Sequence, residues 1–113
     1  MTEQPHPRAS AFKPIVGSVV SAIVANRLDS LNYLPGRTTR EGLAEALRSY
    51  ALPLVDLPDE AFDDMQIYDW GPAQWYVETP LWTVDGRSDL GAFIEIHERE
   101  GKLVAYLDDL HPF

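Results

Sequence analysis

The sequence contains no cysteine, which excludes disulfides, thiolate zinc sites and cysteine nucleophiles. It has no apolar run approaching the roughly 18 uninterrupted residues of a membrane span. Its most apolar stretch, beginning at Phe12, is broken by Gly17, Ser18, Ser21 and Asn26. The opening residues, MTEQPHPRA, lack the basic, apolar, small-residue order of a secretory leader. The expectation is a cytoplasmic chain that does not engage a membrane. Positive charge is also scarce: nine Lys and Arg stand against 18 Asp and Glu, a formal net charge of −9. The deficit is confined to the second half. Residues 1–55 carry six basic and four acidic side chains (+2), whereas residues 56–113 carry three and fourteen (−11). Nucleic-acid binding needs Lys and Arg to displace counterions, so nucleic acid is not an expected partner. An acidic field steers encounter with a basic protein surface instead.

Catalytic signatures are missing as well. The three histidines, His6, His97 and His111, belong to no H-E-x-x-H pair and no Ser/His/Asp order, and there is no glycine-rich phosphate loop. No cofactor and no metal are expected. The acidic stretch around Asp85 and Asp89 lacks the D-x-D-x-D-G pattern and the closing glutamate of a calcium loop.

What is present is enough for a packed core, since 45% of the 113 residues are apolar and 11% aromatic. Residues 1–9 read as a flexible tail and residues 10–113 as a single domain. Phe12, Ile15, Val16, Val19, Val20, Ile23, Val24, Leu28 and Leu31 recur at the spacing of one helical face, which predicts a first helix over Lys13–Ser30 with Pro14 in its first turn. Thr38-x-x-Glu41 reads as a capping box for a second helix over Thr39–Tyr50. Pro53 and Pro58 bracket an extended connector, and Asp59 caps a short third helix that buries Phe62 and Met65.

After Trp70-Gly71-Pro72 the period changes to alternation. Gln74–Val84 reads as a strand, with Pro80 marking a sheet edge or a bulge. Ala92–Glu98 and Lys102–Asp108 read as a hairpin about Glu100-Gly101. That turn pairs Ile96 with Ala105 and Ile94 with Leu107 on an apolar face. On the mixed face it pairs Phe93 with Asp108, Glu95 with Tyr106 and His97 with Val104. The fold class is α+β: two or three N-terminal helices packed on one face of a small antiparallel β-meander.

Candidate site residues cluster near LWTVDGRSDL and the C-terminus. Asp85, Arg87, Asp89, Glu95, Tyr106, Asp108 and Asp109 form a candidate binding face. A rival reading places a small-ligand or hydrolase-like pocket at Asp89, Asp109 and His111, because the hairpin register pairs Ala92 with Asp109 and so brings Asp89, three residues earlier, near Asp109. The structural alternative makes Asp85-Gly86 a turn in which Ser88 and Asp89 bond nearby backbone N–H groups and Arg87 balances the carboxylates. Trp70, Trp75 and Trp82, with Tyr68 and Tyr76, either fill the core or supply an interface anchor.

Leu81-Trp82-Thr83, Gly86-Arg87-Ser88-Asp89-Leu90 and Leu107-Asp108-Asp109-Leu110-His111 together resemble a small uncharacterised bacterial domain family of stand-alone proteins, with no established activity. Val84 stands where the family pattern carries acidic residues, which interrupts an acidic rim. By size and charge the chain is similar to immunity proteins that cover a toxin. The expected function is therefore non-enzymatic: an acidic interaction module, of immunity or antitoxin type, for a basic partner. A homodimer through the Pro80 strand or the tryptophan cluster is a further arrangement.

Overall fold

The computed structural model describes residues 6–50 and 53–113. Helix α1 spans Ala9–Val24 and α2 spans Arg40–Tyr50. A two-residue strand β1 (Leu54–Val55) and a 3-10 helix (Asp59–Asp64) lead into strands β2 (Gln66–Gly71), β3 (Gln74–Thr83), β4 (Gly86–Arg99) and β5 (Lys102–Pro112). The strands form one antiparallel, five-stranded sheet in which β3, β4 and β5 are consecutive neighbours. Strands β1 and β2 share the other edge of β3. The fold is α+β, with helices against a curled antiparallel sheet, as the segregated order of periodicities requires.

Helix α1 starts and stops earlier than its apolar stripe suggests. It ends in a Schellman motif: Asn26 adopts φ +56°, the Arg27 N–H donates to the Ala22 carbonyl at 2.8 Å, and the Asn26 N–H donates to Ile23 at 3.1 Å. Asparagine tolerates this left-handed position better than most residues do, so it terminates the helix. Leu28 and Leu31 continue the stripe only in sequence, because Leu28–Ser30 is a separate 3-10 turn. The earlier start puts Pro14 inside the helix. The expected tail over residues 1–9 falls partly on residues 1–5, outside the described residues. Residues 6–8 are tied to the sheet: His6 contacts Asp69 at 3.1 Å, Arg8 contacts Glu98 at 3.6 Å, and the Arg8 guanidinium lies 4.9 Å from the Trp75 ring centroid.

The second helix is capped by Thr39 rather than Thr38. The Gly42 N–H donates to Thr39 Oγ1 at 3.1 Å, the N-cap to N3 bond, so a single cap at Thr39 replaces the expected box, whose N3 position is now a glycine. Glu41 makes no reciprocal cap. Its carboxyl is held below the usual range by its own backbone N–H and by Arg40. The short third helix is a 3-10 helix entered from Pro58; Ala61 is its fully buried residue, with Phe62 and Met65 half-buried.

The Glu100-Gly101 loop turns as expected, with both residues at positive φ (+53° and +76°), the geometry of a two-residue hairpin. The register holds through Glu95–Tyr106 and Ile94–Leu107, then shifts. Phe93 faces Asp109 instead of Asp108, and Ala92 faces Leu110. Asp108 is the extra residue of a bulge, so Leu107 and Leu110 both point to the core while Asp108 and Asp109 lie together on the opposite face. At Pro80 the register of β3 against β4 also shifts, and the far edge of β3 is free between its pairings with β2, which end at Glu78, and with β1, which begin at Trp82. The missing N–H of Pro80 therefore leaves no ladder bond unmade on that side.

Phe12, Val16, Val19, Val20 and Ile23 from α1 meet Trp75, Val77, Ile94, Ile96 and Leu107 from the sheet, with Phe12 edge-on to Trp75 at 5.2 Å. Each such aliphatic side chain contributes on the order of 1.5–3 kcal/mol by burial. This is the face that the hairpin alternation assigned to the helix.

Candidate functional site

The register orders the opposite face of the sheet into rows. Tyr68 on β2, Tyr76 on β3, Glu95 on β4 and Tyr106 on β5 stand abreast. One row towards the β4–β5 turn, Gln74, His97 and Val104 align; one row the other way, Gln66, Glu78, Phe93 and Asp109 align. No helix lies in these rows, yet their centre is not open. Glu95 is only 5% exposed and His97 8%, comparable to core residues.

Side chains do the covering. His97 Nε2 and Glu95 Oε2 are 2.6 Å apart. The His97 ring packs on Tyr106 at 5.0 Å. Tyr76 donates its phenolic hydrogen to Asp108 Oδ2 at 2.8 Å. Burial first, and then the Asp108 bond, push the Tyr76 phenol far above its ordinary value, so it stays protonated. Across the top reaches Arg37, from the turn that precedes α2. Its Nη1 donates to Asp108 Oδ1 at 2.8 Å and its Nη2 lies 3.7 Å from Glu95 Oε1. Asp108, followed by Glu95, raises the pKa of this guanidinium further above its already high value. Asn32 anchors the same loop to β5: its carbonyl accepts the Leu107 N–H at 3.0 Å, and its side chain donates to Ala105 at 3.2 Å.

Two aromatic rings extend this cluster into solvent. Trp70 is 60% exposed and rests on Tyr76 at 5.7 Å; Tyr68 is 46% exposed and its hydroxyl lies 3.5 Å from Glu78. Trp75 is in the core and Trp82 is half-buried. The three tryptophans thus divide between core packing and surface display.

The seven residues of the candidate binding face do not form one patch. Glu95, Tyr106, Asp108 and Asp109 share the outer face of the sheet. Asp85, Arg87 and Asp89 are exposed near the β3–β4 turn. Ten residues of strand separate Asp85 from Glu95, on the order of 30 Å if extended. Glu95 itself is buried under Arg37, not displayed.

The LWTVDGRSDL stretch is a hairpin whose loop residues are Val84-Asp85, one residue earlier than the Asp85-Gly86 turn, because Thr83 pairs with Gly86. Ser88 pins the irregularity beside Pro80: its hydroxyl donates to the Leu81 carbonyl at 2.7 Å and accepts the Leu90 N–H at 3.1 Å. Arg87 pairs with Asp64 at 3.4 Å. Ser88 bonds the backbone as the structural reading expects, but Asp89 offers its backbone carbonyl to Phe113, Arg87 pairs with the distant Asp64 rather than with Asp85 or Asp89, and strand pairing begins at Gly86.

Of the rival pocket's residues, Asp109 and His111 are neighbours and Asp89 does not join them. The β5 bulge and its continuation to Pro112 set Asp89 against Phe113, whose N–H donates to the Asp89 carbonyl at 3.0 Å. Asp109 pairs with Phe93 instead. His111 lies 3.8 Å from Asp109 and stacks on Phe93 at 3.9 Å. A cavity of about 330 Å³ lies elsewhere, between Ile23, Val24, Ala44, Leu47, Leu54 and Leu90. Among the described residues, no three His, Asp or Glu side chains are grouped to hold a metal.

Sequence reasoning missed Arg37, placed Tyr76 only in the aromatic cluster and did not single out His97 as part of a site. Alternation already placed His97 beside Glu95, and Tyr76 opposite Trp75. No local signal identified Arg37, which lies 71 residues from its partner Asp108.

A family model described as a domain of unknown function, DUF7668, matches residues 17–113. The chain belongs to the DUF7668 family. This matched span includes both helices from Gly17 onward, all five strands and every member of the outer-face cluster. No curated protein and no solved structure matches the chain. Among the described residues, no helix is long and apolar enough to cross a membrane.

Proposed function

We propose that this DUF7668 protein is a non-enzymatic interaction module that captures a basic protein partner on the outer face of its sheet. One observation carries the reading. Trp70 and Tyr68 stand exposed on the same face as Glu78, and Trp70 leans on Tyr76, which is fixed by Asp108. Tryptophan and tyrosine on a rigid base supply large contact area at little entropic cost, and carboxylates around them steer and select cations. Glu78, Asp108 and Asp109 lie on this face, so the acidic character of the second half of the chain continues around the aromatic pair.

The finer reading is an immunity or antitoxin role in the cytoplasm of a bacterium, with the partner a basic toxin. A second reading, a small-ligand binder or hydrolase-like enzyme, draws no support from Asp89, which sits apart from the neighbouring Asp109 and His111. Binding is measured on a sensor surface against the product of the adjacent gene and against a panel of basic proteins, at low and at raised salt. The expected result is a salt-weakened complex that Trp70→Ala reduces at least about tenfold, in line with an interface anchor. A complex insensitive to both salt and Trp70→Ala, or no complex at all, overturns the reading.

A further inference from the structure

We infer that Asp108 and Glu95 form a guanidinium receptor which Arg37 occupies as a displaceable latch, and that the partner's contribution at this point is an arginine side chain. The inference rests on the proposed interaction face and specifies what that face recognises. Each carboxylate has one oxygen committed to the sheet and the other offered outward. Asp108 Oδ2 accepts from Tyr76 while Oδ1 accepts from Arg37; Glu95 Oε2 is held by His97 while Oε1 faces Arg37. The two free oxygens come from adjacent strands and converge on one planar cation, the arrangement that a forked guanidinium satisfies and a single ammonium does not.

Receptor and occupant differ in how they are held. The carboxylate side chains of Glu95 and Asp108 are 6% and 15% exposed, while the Arg37 side chain is 46% exposed. Arg37 is delivered by a surface turn, Leu34-Pro35-Gly36-Arg37, closed by one 3.3 Å backbone bond, with Gly36 at φ +76°. Moving that turn leaves the β4–β5 ladder, the Tyr76–Asp108 bond and the His97–Glu95 contact in place. An incoming arginine from a basic partner satisfies the same two oxygens and releases Arg37 to solvent. Tyr76, bonded to Asp108, stands beside the vacated position, where a guanidinium also gains from an aromatic face.

The test needs no partner. Methylguanidinium is titrated into the wild-type protein and into Arg37→Ala, followed by amide NMR and thermal melting, with tetramethylammonium at equal concentration as control. Arg37→Ala is expected to show saturable shifts at Tyr76, Glu95, His97 and Asp108 and a melting temperature that rises with ligand. The wild type is expected to need at least about tenfold more ligand, since apparent affinity scales with the fraction of molecules whose site is open. Adding Asp108→Asn to Arg37→Ala should abolish the shifts. Shifts no larger than those from tetramethylammonium, or shifts that survive Asp108→Asn, overturn the inference. Arg37→Gln serves if Arg37→Ala does not fold, and failure of both to fold even with methylguanidinium present overturns it too, because the latch is then an integral strut. Absence of methylguanidinium binding leaves Trp70-dependent partner binding standing. Loss of partner binding with the receptor intact does the reverse.

Discussion

On β4, Ile94 and Ile96 point one way and Glu95 and His97 the other, and all four are buried. The first pair is covered by a helix and the second by neighbouring side chains. On the core face α1 brings Phe12, Val16 and Val20 as one rigid unit, and water is excluded by area. On the outer face the covering groups are Tyr76, Tyr106 and a single arginine from a loop, and burial is tolerable because the polar atoms partner one another. A face sealed by an element opens only when the protein unfolds. A face sealed by side chains can exchange one of them for a partner's without disturbing the ladder beneath. The sheet is therefore structural on one side and suited to recognition on the other, although both sides are equally dry at β4.

The contrast can be broken most severely from the core side. Phe12→Ala removes the ring packed on Trp75 and should cost about 3–5 kcal/mol, read by denaturant unfolding. Next comes the outer network. Asp108→Asn removes the charge and replaces one of the two oxygens that accept from Arg37 and Tyr76 with an NH2 donor, and should cost about 1–3 kcal/mol, with the core ladder retained by amide NMR. The same variant carries a pH signature. Tyr76 has a folded pKa raised above its unfolded value of 10.0, so its contribution is complete below that pH and is lost as pH rises through the folded value. Ultraviolet titration should show one tyrosine resisting ionisation well beyond the ordinary phenol range, and Asp108→Asn should bring it back towards that range.

Smaller effects sharpen the distinction. Thr39→Ala removes the α2 cap and should cost about 1 kcal/mol by thermal melting. Trp70→Ala should change stability by no more than about 0.5 kcal/mol, the ordinary scale for a surface substitution. A large loss of stability on Trp70→Ala would make that ring a structural residue and remove the anchor from the outer face.

Much of this contrast was legible beforehand. The stripe from Phe12 to Val24 and the alternation over Ala92–Asp108 assigned the helix to Ile94, Ile96 and Leu107, and the Glu100-Gly101 turn set the pairing of Glu95 with Tyr106. The apolar spacing could not show where α1 stops, because the stop is a backbone event at Asn26 and the stripe continues past it. The β5 bulge was also invisible, since one inserted residue leaves Leu107 and Leu110 looking like a break in alternation. That single residue moved Asp108 out of register and set Asp109 one row further from Asp89. Arg37 carried no mark at all: an arginine after Pro-Gly reads as a solvated turn until the fold lays that turn over β5.

The chain-level charge asymmetry teaches the same lesson. Residues 1–55 are +2 and residues 56–113 are −11, yet Arg8, Lys13 and Arg37 from the first half pair with Glu98, Asp59 and Asp108 from the second. Part of the imbalance is thus an internal complementarity, and the exposed pairs within it contribute little individually.

By itself the sequence determined the class of fold, the helical and alternating segments, the apolar side of the hairpin and the acidic character of the second half, because periodicity and composition are local properties. Only the tertiary structure decided which carboxylates share a site, which tryptophan reaches solvent and which arginine closes the outer face, because those depend on a bulge, a strand gap and a loop crossing that bring residues far apart in the chain within hydrogen-bonding distance.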